Sequence, residues 1–219
     1  MSVESPPVRL DTVQALRGVA ALLVVLFHAA SIWREGTGGA GLAGPWDGGW
    51  AGVDLFFVIS GFVMVWVTAD RAGGARPAGR FLFDRATRIY PLWWVFCSLM
   101  GLYFLLTYGQ PASPATLADG SPLSVFACSL ALWPLGDQPV LGVGWTLTFE
   151  IAFYALFAVL MLLRSRWRLP LIGLWGGVLL YLLVTTPPTA RLPDSWAGVL
   201  LSPLCLEFVL GAGVAAWIR

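Results

Sequence analysis

Six stretches of this chain are each apolar for about twenty residues, the length needed to cross roughly 30 Å of hydrocarbon. They fall at about 13–32, 51–68, 89–107, 144–163, 169–186 and 198–217 of the 219 residues. A chain built this way has little freedom: inside a bilayer every backbone N–H and C=O must be satisfied within the protein, which leaves helices or closed barrels. Runs of twenty exceed what barrel strands need, so the expected fold is all-α, a polytopic transmembrane helix bundle forming one domain over 1–219. Composition agrees. Hydrophobic residues make up 58% and charged residues 11%, with a mean hydropathy of +0.78, far too apolar for a soluble domain of this size. No cleavable signal peptide is evident, because the first run lacks a small-residue cleavage site ahead of polar sequence.

A seventh apolar stretch, 123–135, has only about 13 residues and ends near Pro134, too short for a full crossing. It is expected to be re-entrant, interfacial or packed against the outer face. Arginine placement supports that reading. The connection after the second span holds Arg71, Arg76, Arg80, Arg85 and Arg88 against Asp70 and Asp84, a net of +3. Arg164, Arg166 and Arg168 form a second basic connection with no acid. The 33–50 segment nets −1, and 108–143 carries Asp119 and Asp137 with no base. If 123–135 does not cross, both basic connections share one face, which the positive-inside rule makes cytoplasmic along with the N-terminus. The bacterial inner membrane is the expected location.

Several function classes drop out. A net charge of +1 offers no footprint for nucleic acid. Cys97, Cys128 and Cys205 lie in separate apolar segments with neither CxxC nor metal-ligand spacing, and read as small packing residues. No metal site is expected. The chain also lacks the internal repeat that marks many transporters.

The chemistry-bearing residues are those that an apolar segment should not contain. "LRGVAALLVVLFHAAS" (16–31) carries Arg17 and the only histidine, His28. Eleven residues are three helical turns plus about 20°, so the two side chains share one face, about 16 Å apart along the axis. Lipid-facing charge is expensive, so that face should look into the bundle; the plainer readings are a snorkelling arginine and a hydrogen-bonded core histidine. The second span opens "GWAGVDLFFVISGFVM" and the fourth "GWTLTFEIAFYALF", which places Asp54 and Glu150 in the outer half, at a depth similar to His28. Three titratable groups at comparable depth on three helices favour a site. Glu207, nearer the middle of the last span, either joins them or supports Arg17. "FLFDRATRIYPLWW" (81–94) places Arg85 and Arg88 on one helical face at the opposite rim. Pro91 is tolerated in a first helical turn, so that span is expected to begin near it. Two guanidinium forks plus Arg17 suit phosphates; otherwise they belong to the positive-inside signal.

In this order, "LDTVQALRGVAALLVVLFHA", "GVDLFFVISGFVM", "FLFDRATRIYPLWW", "GWTLTFEIAFYALF" and "LEFVLGAGVAAW" resemble the acyltransferase 3 family of integral membrane acyltransferases, which includes exopolysaccharide and O-antigen acetyltransferases. The Arg-x10-His pair followed by a DLFFVISGF-type helix is the most specific part. The resemblance implies transfer of an acyl group, usually acetyl, from cytoplasmic acyl-CoA to a hydroxyl of an extracytoplasmic glycan or lipid-linked saccharide. It implies a catalytic role for His28, with Arg17 its partner, and a donor-handling role for Arg85 and Arg88; Asp54 and Glu150 fall on shared motif positions. His28 would take the acceptor's proton as general base, or itself carry the acyl group. Asp54 or Glu150 would orient the imidazole. Trp145, Thr146, Thr148 and Ser60 are polar candidates for the oxyanion by depth alone. Family members continue through further helices, so the chain is expected to be C-terminally incomplete. A proton-relaying transporter built on His28, Asp54 and Glu150, and a non-catalytic subunit, are the competing readings. The expected partners are acyl-CoA, the saccharide acceptor and membrane lipid, with self-association left open.

Overall fold

The structure, a computed structural model, describes residues 11–37, 45–69, 73–114, 121–136, 138–186 and 193–219. Asp70, Arg71, Asp119 and Asp137 lie outside them. Eight α-helices occur among the described residues: α1 (Asp11–Gly36), α2 (Ala51–Thr68), α3 (Ala75–Tyr108), α4 (Pro122–Ala131), α5 (Gly144–Leu162), α6 (Ser165–Thr185), α7 (Trp196–Leu200) and α8 (Cys205–Ile218), with a 3-10 turn at Pro45–Trp50 leading into α2. Five of them, α1, α2 (with the end of the 3-10 turn), α3, α5 and α6, are long and apolar enough to cross a membrane. The chain is an all-α polytopic bundle and an integral membrane protein.

Two expectations need correction. The span expected near Pro91 begins sixteen residues earlier, at Ala75, and Pro91 lies inside α3. The stretch 75–90 is too polar to register as a span but is rich in helix-forming Arg and Ala. Its apolar stripe (Ala78, Phe81, Ile89) continues without a break into Trp93, Cys97 and Gly101 beyond the proline. The sixth expected span is interrupted. The helix stops at Leu200, the chain turns through 201–204 around Pro203, and α8 restarts with bonds from the N–H of Cys205, Leu206 and Glu207 to the carbonyls three residues back. Its 14 residues reach only about 21 Å. Carbonyls released by this break are not left bare: the Trp175 indole donates to Leu200 O at 2.8 Å, and the Cys205 thiol to Val199 O at 3.1 Å.

The short seventh segment is a ten-residue helix, α4, whose last carbonyls are satisfied by α3. Trp93 Nε1 donates to Ser129 O at 2.9 Å, Trp94 Nε1 to Leu130 O at 3.1 Å and Tyr90 Oη to Ala131 O at 3.2 Å. Three aromatic donors on one face of α3 let α4 end without crossing.

Both basic connections meet on the same face, as they must if α4 does not cross. Gly74 N–H donates to Met161 O at 2.9 Å, and the buried Arg168 donates from Nη1 to Thr68 O at 3.0 Å, at the end of α2. Arg168 is therefore more than a topology signal, since its guanidinium pins the α5–α6 turn to the end of α2.

Glycines set how closely α2 is gripped. The largest helix–helix contact is between α2 and α8, where a Cβ on Gly61 would overlap the Phe208 carbonyl and one on Gly211 the Val58 carbonyl. Lipid-embedded helices gain most from such close backbone approach. Gly211→Val is expected to force the pair apart and to lower the melting temperature of the purified protein by several degrees, from an overpacking cost of about 1–3 kcal/mol. Gly213→Ala on the same helix, where a Cβ meets nothing within 4 Å, should leave it unchanged. Thermal unfolding in detergent compares the two.

Candidate active site

α1 packs on α2 and on the 3-10 turn before it. A Cβ on Gly52 would overlap the Ala20 carbonyl, and a Cβ on Gly49 the Leu23 carbonyl and Phe27. The contact turns the shared face of Arg17 and His28 inward, and both line one cavity of about 380 Å³ enclosed by α1, α2, α3 and α5. The expected common face is real. The His28 ring is exposed within this opening and stands edge-on to Phe27, ring centres 5.5 Å apart.

The far end of the cavity is strongly charged. Arg85 and Arg88 of α3 line it with Arg17, joined by Glu150 and Tyr154 of α5. Arg17 lies within electrostatic range of all four, and Tyr154 within range of Glu150, Arg85 and Arg88. The Tyr154 hydroxyl donates to a Glu150 carboxylate oxygen one turn earlier. The Arg85 guanidinium sits over two rings, 5.5 Å from the centre of Phe81 and 5.6 Å from that of Tyr154. Aromatic faces and a single carboxylate thus hold three like charges together, leaving net positive charge directed into the cavity. Tyr154 went unremarked in the sequence. The available signal was its spacing, four residues after Glu150, which places both on one face of α5.

Not every expected residue gathers here. Glu150 does line the cavity, and it stands with the arginines, within electrostatic range of Arg17 and hydrogen-bonded by Tyr154. Asp54 does not line it. Its carboxyl group meets that of Glu207 on α8. The reason is azimuth: α2 presents Val53, Phe57, Ser60 and Met64 to the cavity, whereas Val58 and Gly61 face α8, and Asp54 is one turn before Val58 on that second face. Glu207 therefore neither joins His28 nor supports Arg17. Trp145, Thr146 and Ser60 line the cavity; Thr148 does not, and its hydroxyl donates to Gly144 O at 3.3 Å.

A family model for an acyltransferase domain, Acyl_transf_3, matches residues 10–219. The chain belongs to that acyltransferase family. Among its relatives, the exopolysaccharide production protein ExoZ of Rhizobium meliloti (strain 1021) is 38% identical over 205 residues, covering 89% of this chain and 56% of ExoZ. Acyltransferase MdmB of Streptomyces mycarofaciens is 29% identical over 240 residues, 98% of this chain and 59% of MdmB. Protein 2 in the picA locus of Rhizobium radiobacter is 36% identical over 106 residues, 48% of this chain and 51% of that protein. The chain spans a little over half the length of ExoZ and of MdmB. No solved structure matches it.

Removing the Tyr154 hydroxyl leaves the Glu150 carboxylate without its donor among the arginines. Tyr154→Phe is expected to cost about 1–3 kcal/mol, read as a lower melting temperature in detergent, while Tyr181→Phe on the exposed face of α6 should have no effect.

Proposed function

We propose that this chain carries the core of an enzyme that transfers an acyl group, most simply acetyl, from acyl-CoA to a hydroxyl of an extracytoplasmic glycan or lipid-linked saccharide. One observation carries the reading. A single cavity joins three arginines at one end to the histidine at the other, so a ligand held by its phosphates can present a reactive group to the imidazole. Membership of the acyltransferase family and the likeness to an exopolysaccharide production protein support the reaction class and the saccharide acceptor.

On this reading Arg17, Arg85 and Arg88 bind the phosphates of acyl-CoA, with charge-assisted hydrogen bonds in fork geometry. The pantetheine arm extends along the cavity for the roughly 16 Å that separates Arg17 from His28 by helix rise. Neutral His28 accepts the proton of the acceptor hydroxyl as its oxygen attacks the thioester carbonyl; the C–S bond breaks and the thiolate of CoA leaves. With Glu150 at the arginine end and Asp54 turned toward α8, neither carboxylate has the place of a histidine-orienting partner. Glu150 instead balances charge in the donor end, through Tyr154. On this reading the face shared by the basic connections is cytoplasmic, as the positive-inside rule favours; the donor end then lies in the cytoplasmic half of a bacterial inner membrane, with the N-terminus inside and His28 toward the exterior.

His28→Ala is expected to lower the transfer of label from radiolabelled acetyl-CoA into membrane glycan by at least about 100-fold, with the protein still inserted at normal levels. Near-normal labelling would remove the histidine from the chemistry. Arg85→Ala with Arg88→Ala should raise the KM for acetyl-CoA at least about tenfold and change the acceptor KM little; equal acetyl-CoA binding in mutant and wild type would reject the donor assignment.

A further inference from the structure

The end of the cavity that carries His28 has a chemistry of its own. Tyr154 belongs to the arginine group, and Trp145 lies nine residues earlier on α5, about 13 Å away along the helix. Trp145 and Thr146 therefore stand at the same end as His28, and all three line the cavity. The other ionisable side chains lining it, Arg17, Arg85, Arg88, Glu150 and Tyr154, all belong to the far group. Among the described residues that line the cavity, those at the imidazole's end are aromatic, aliphatic and hydroxylated, without fixed charge.

Trp145 is held differently from the tryptophans around it. Trp93, Trp94 and Trp175 each spend their indole N–H on a helix-terminal carbonyl. The N–H of Trp145 meets no acceptor among the described residues. Its ring is fixed by edge-on contacts to Phe57 and Phe149, with centres 6.4 and 5.9 Å away. Trp33 and Trp50 are 54% and 56% exposed, as befits interfacial anchors, whereas Trp145 is half-buried and forms cavity wall. Beside it the Thr146 hydroxyl donates to Val143 O at 2.9 Å, which leaves its oxygen able to accept. A rigid ring with a free donor, next to a free acceptor and away from charge, matches an uncharged polyhydroxylated ring. The apolar face of a sugar stacks on the indole while its hydroxyls take up the polar edge.

We propose that Trp145, with Thr146, forms the acceptor subsite, a platform for a neutral saccharide ring whose free hydroxyl is thereby placed at His28. The proposal rests on the acyl-transfer reading for its role but not for its binding, and the two are tested apart. 5-Fluorotryptophan is installed at position 145 alone, and its fluorine resonance is followed while methyl glycosides of glucose, galactose, mannose and rhamnose are added without any acyl donor. A saturable shift with at least one neutral glycoside, weaker with methyl glucuronide, is the expected result. No shift with any of them overturns the subsite, whatever the protein transfers. A shift caused only by changing the lipid headgroup also overturns it, and makes Trp145 an interfacial anchor. With a responding glycoside as acceptor, Trp145→Ala should raise its KM about tenfold and leave the KM for acetyl-CoA unchanged, with Trp145→Phe in between. An equal rise in both constants indicates collapse of the α5 end and overturns the proposal. A fluorine shift in a protein that transfers no acyl group would instead overturn the acyl-transfer reading and leave the saccharide subsite standing.

Discussion

Everything in this bundle is organised by how closely other helices approach the backbone of α2. Between helices in lipid, the water-driven term that packs soluble cores is absent, and adhesion comes from van der Waals contact and from backbones near enough to touch. α2 provides that contact on two sides. Gly52, with Gly49 in the turn just before it, admits the carbonyls of α1, while Gly61 meets the Phe208 carbonyl of α8 and Gly211 of α8 meets the Val58 carbonyl. The first contact aims the Arg17–His28 face into the cavity, and the second occupies the side of α2 that carries Asp54. A side chain at any of these glycines would turn the polar residues of two neighbouring helices relative to the space they line.

Charge is the second constraint. Three guanidinium groups at one end of an intramembrane cavity repel one another, and one carboxylate cannot neutralise them. The structure reduces this repulsion by placing Arg85 over two aromatic rings and by holding Glu150 in place through Tyr154. What remains is positive potential in a partly enclosed, low-dielectric space, where an anion gains more than it would in water. An anionic ligand therefore completes the site electrostatically as well as sterically. This explains why Glu150 stands with the arginines, although its depth in the chain suggested the company of His28.

Much of this was legible in the sequence, because it depends on quantities internal to one helix. Spans follow from the length of apolar runs, and the shared face of Arg17 and His28 follows from an eleven-residue interval. The brevity of 123–135, together with the arginine counts, was enough to bring both basic connections to one face. Whatever depended on a neighbouring helix was not legible. Depth along α2 is readable for Asp54, but which neighbour that side of the helix meets is decided by α8, so the carboxyl pair with Glu207 was out of reach. The start of α3 was hidden because hydropathy cannot see an amphipathic, arginine-rich helix. The break at 201–204 was hidden because Pro203 lies within a run otherwise apolar enough to span. Tyr154 was missed for a simpler reason: a tyrosine in an apolar helix attracts no notice until its carboxylate partner, one turn away, proves to be inside the bundle.

The two ends of the cavity also bear on selectivity. Arg17 and His28 are built into one continuous helix, so the axial offset between their backbone positions is set by helix rise, at about 16 Å, and does not depend on loop conformation. On the proposed function, a long, flexible arm between phosphates and a thioester would span the interval and leave the reactive carbonyl at the uncharged end, where hydroxyl groups can approach. Rate then depends on how well that carbonyl is positioned, and the positioning elements are the glycine contacts that fix α1 against α2. On the proposed function, donor recognition, acceptor recognition and proton transfer would be separated along one axis, so that substitutions at either end would alter one substrate's binding without disturbing the other's.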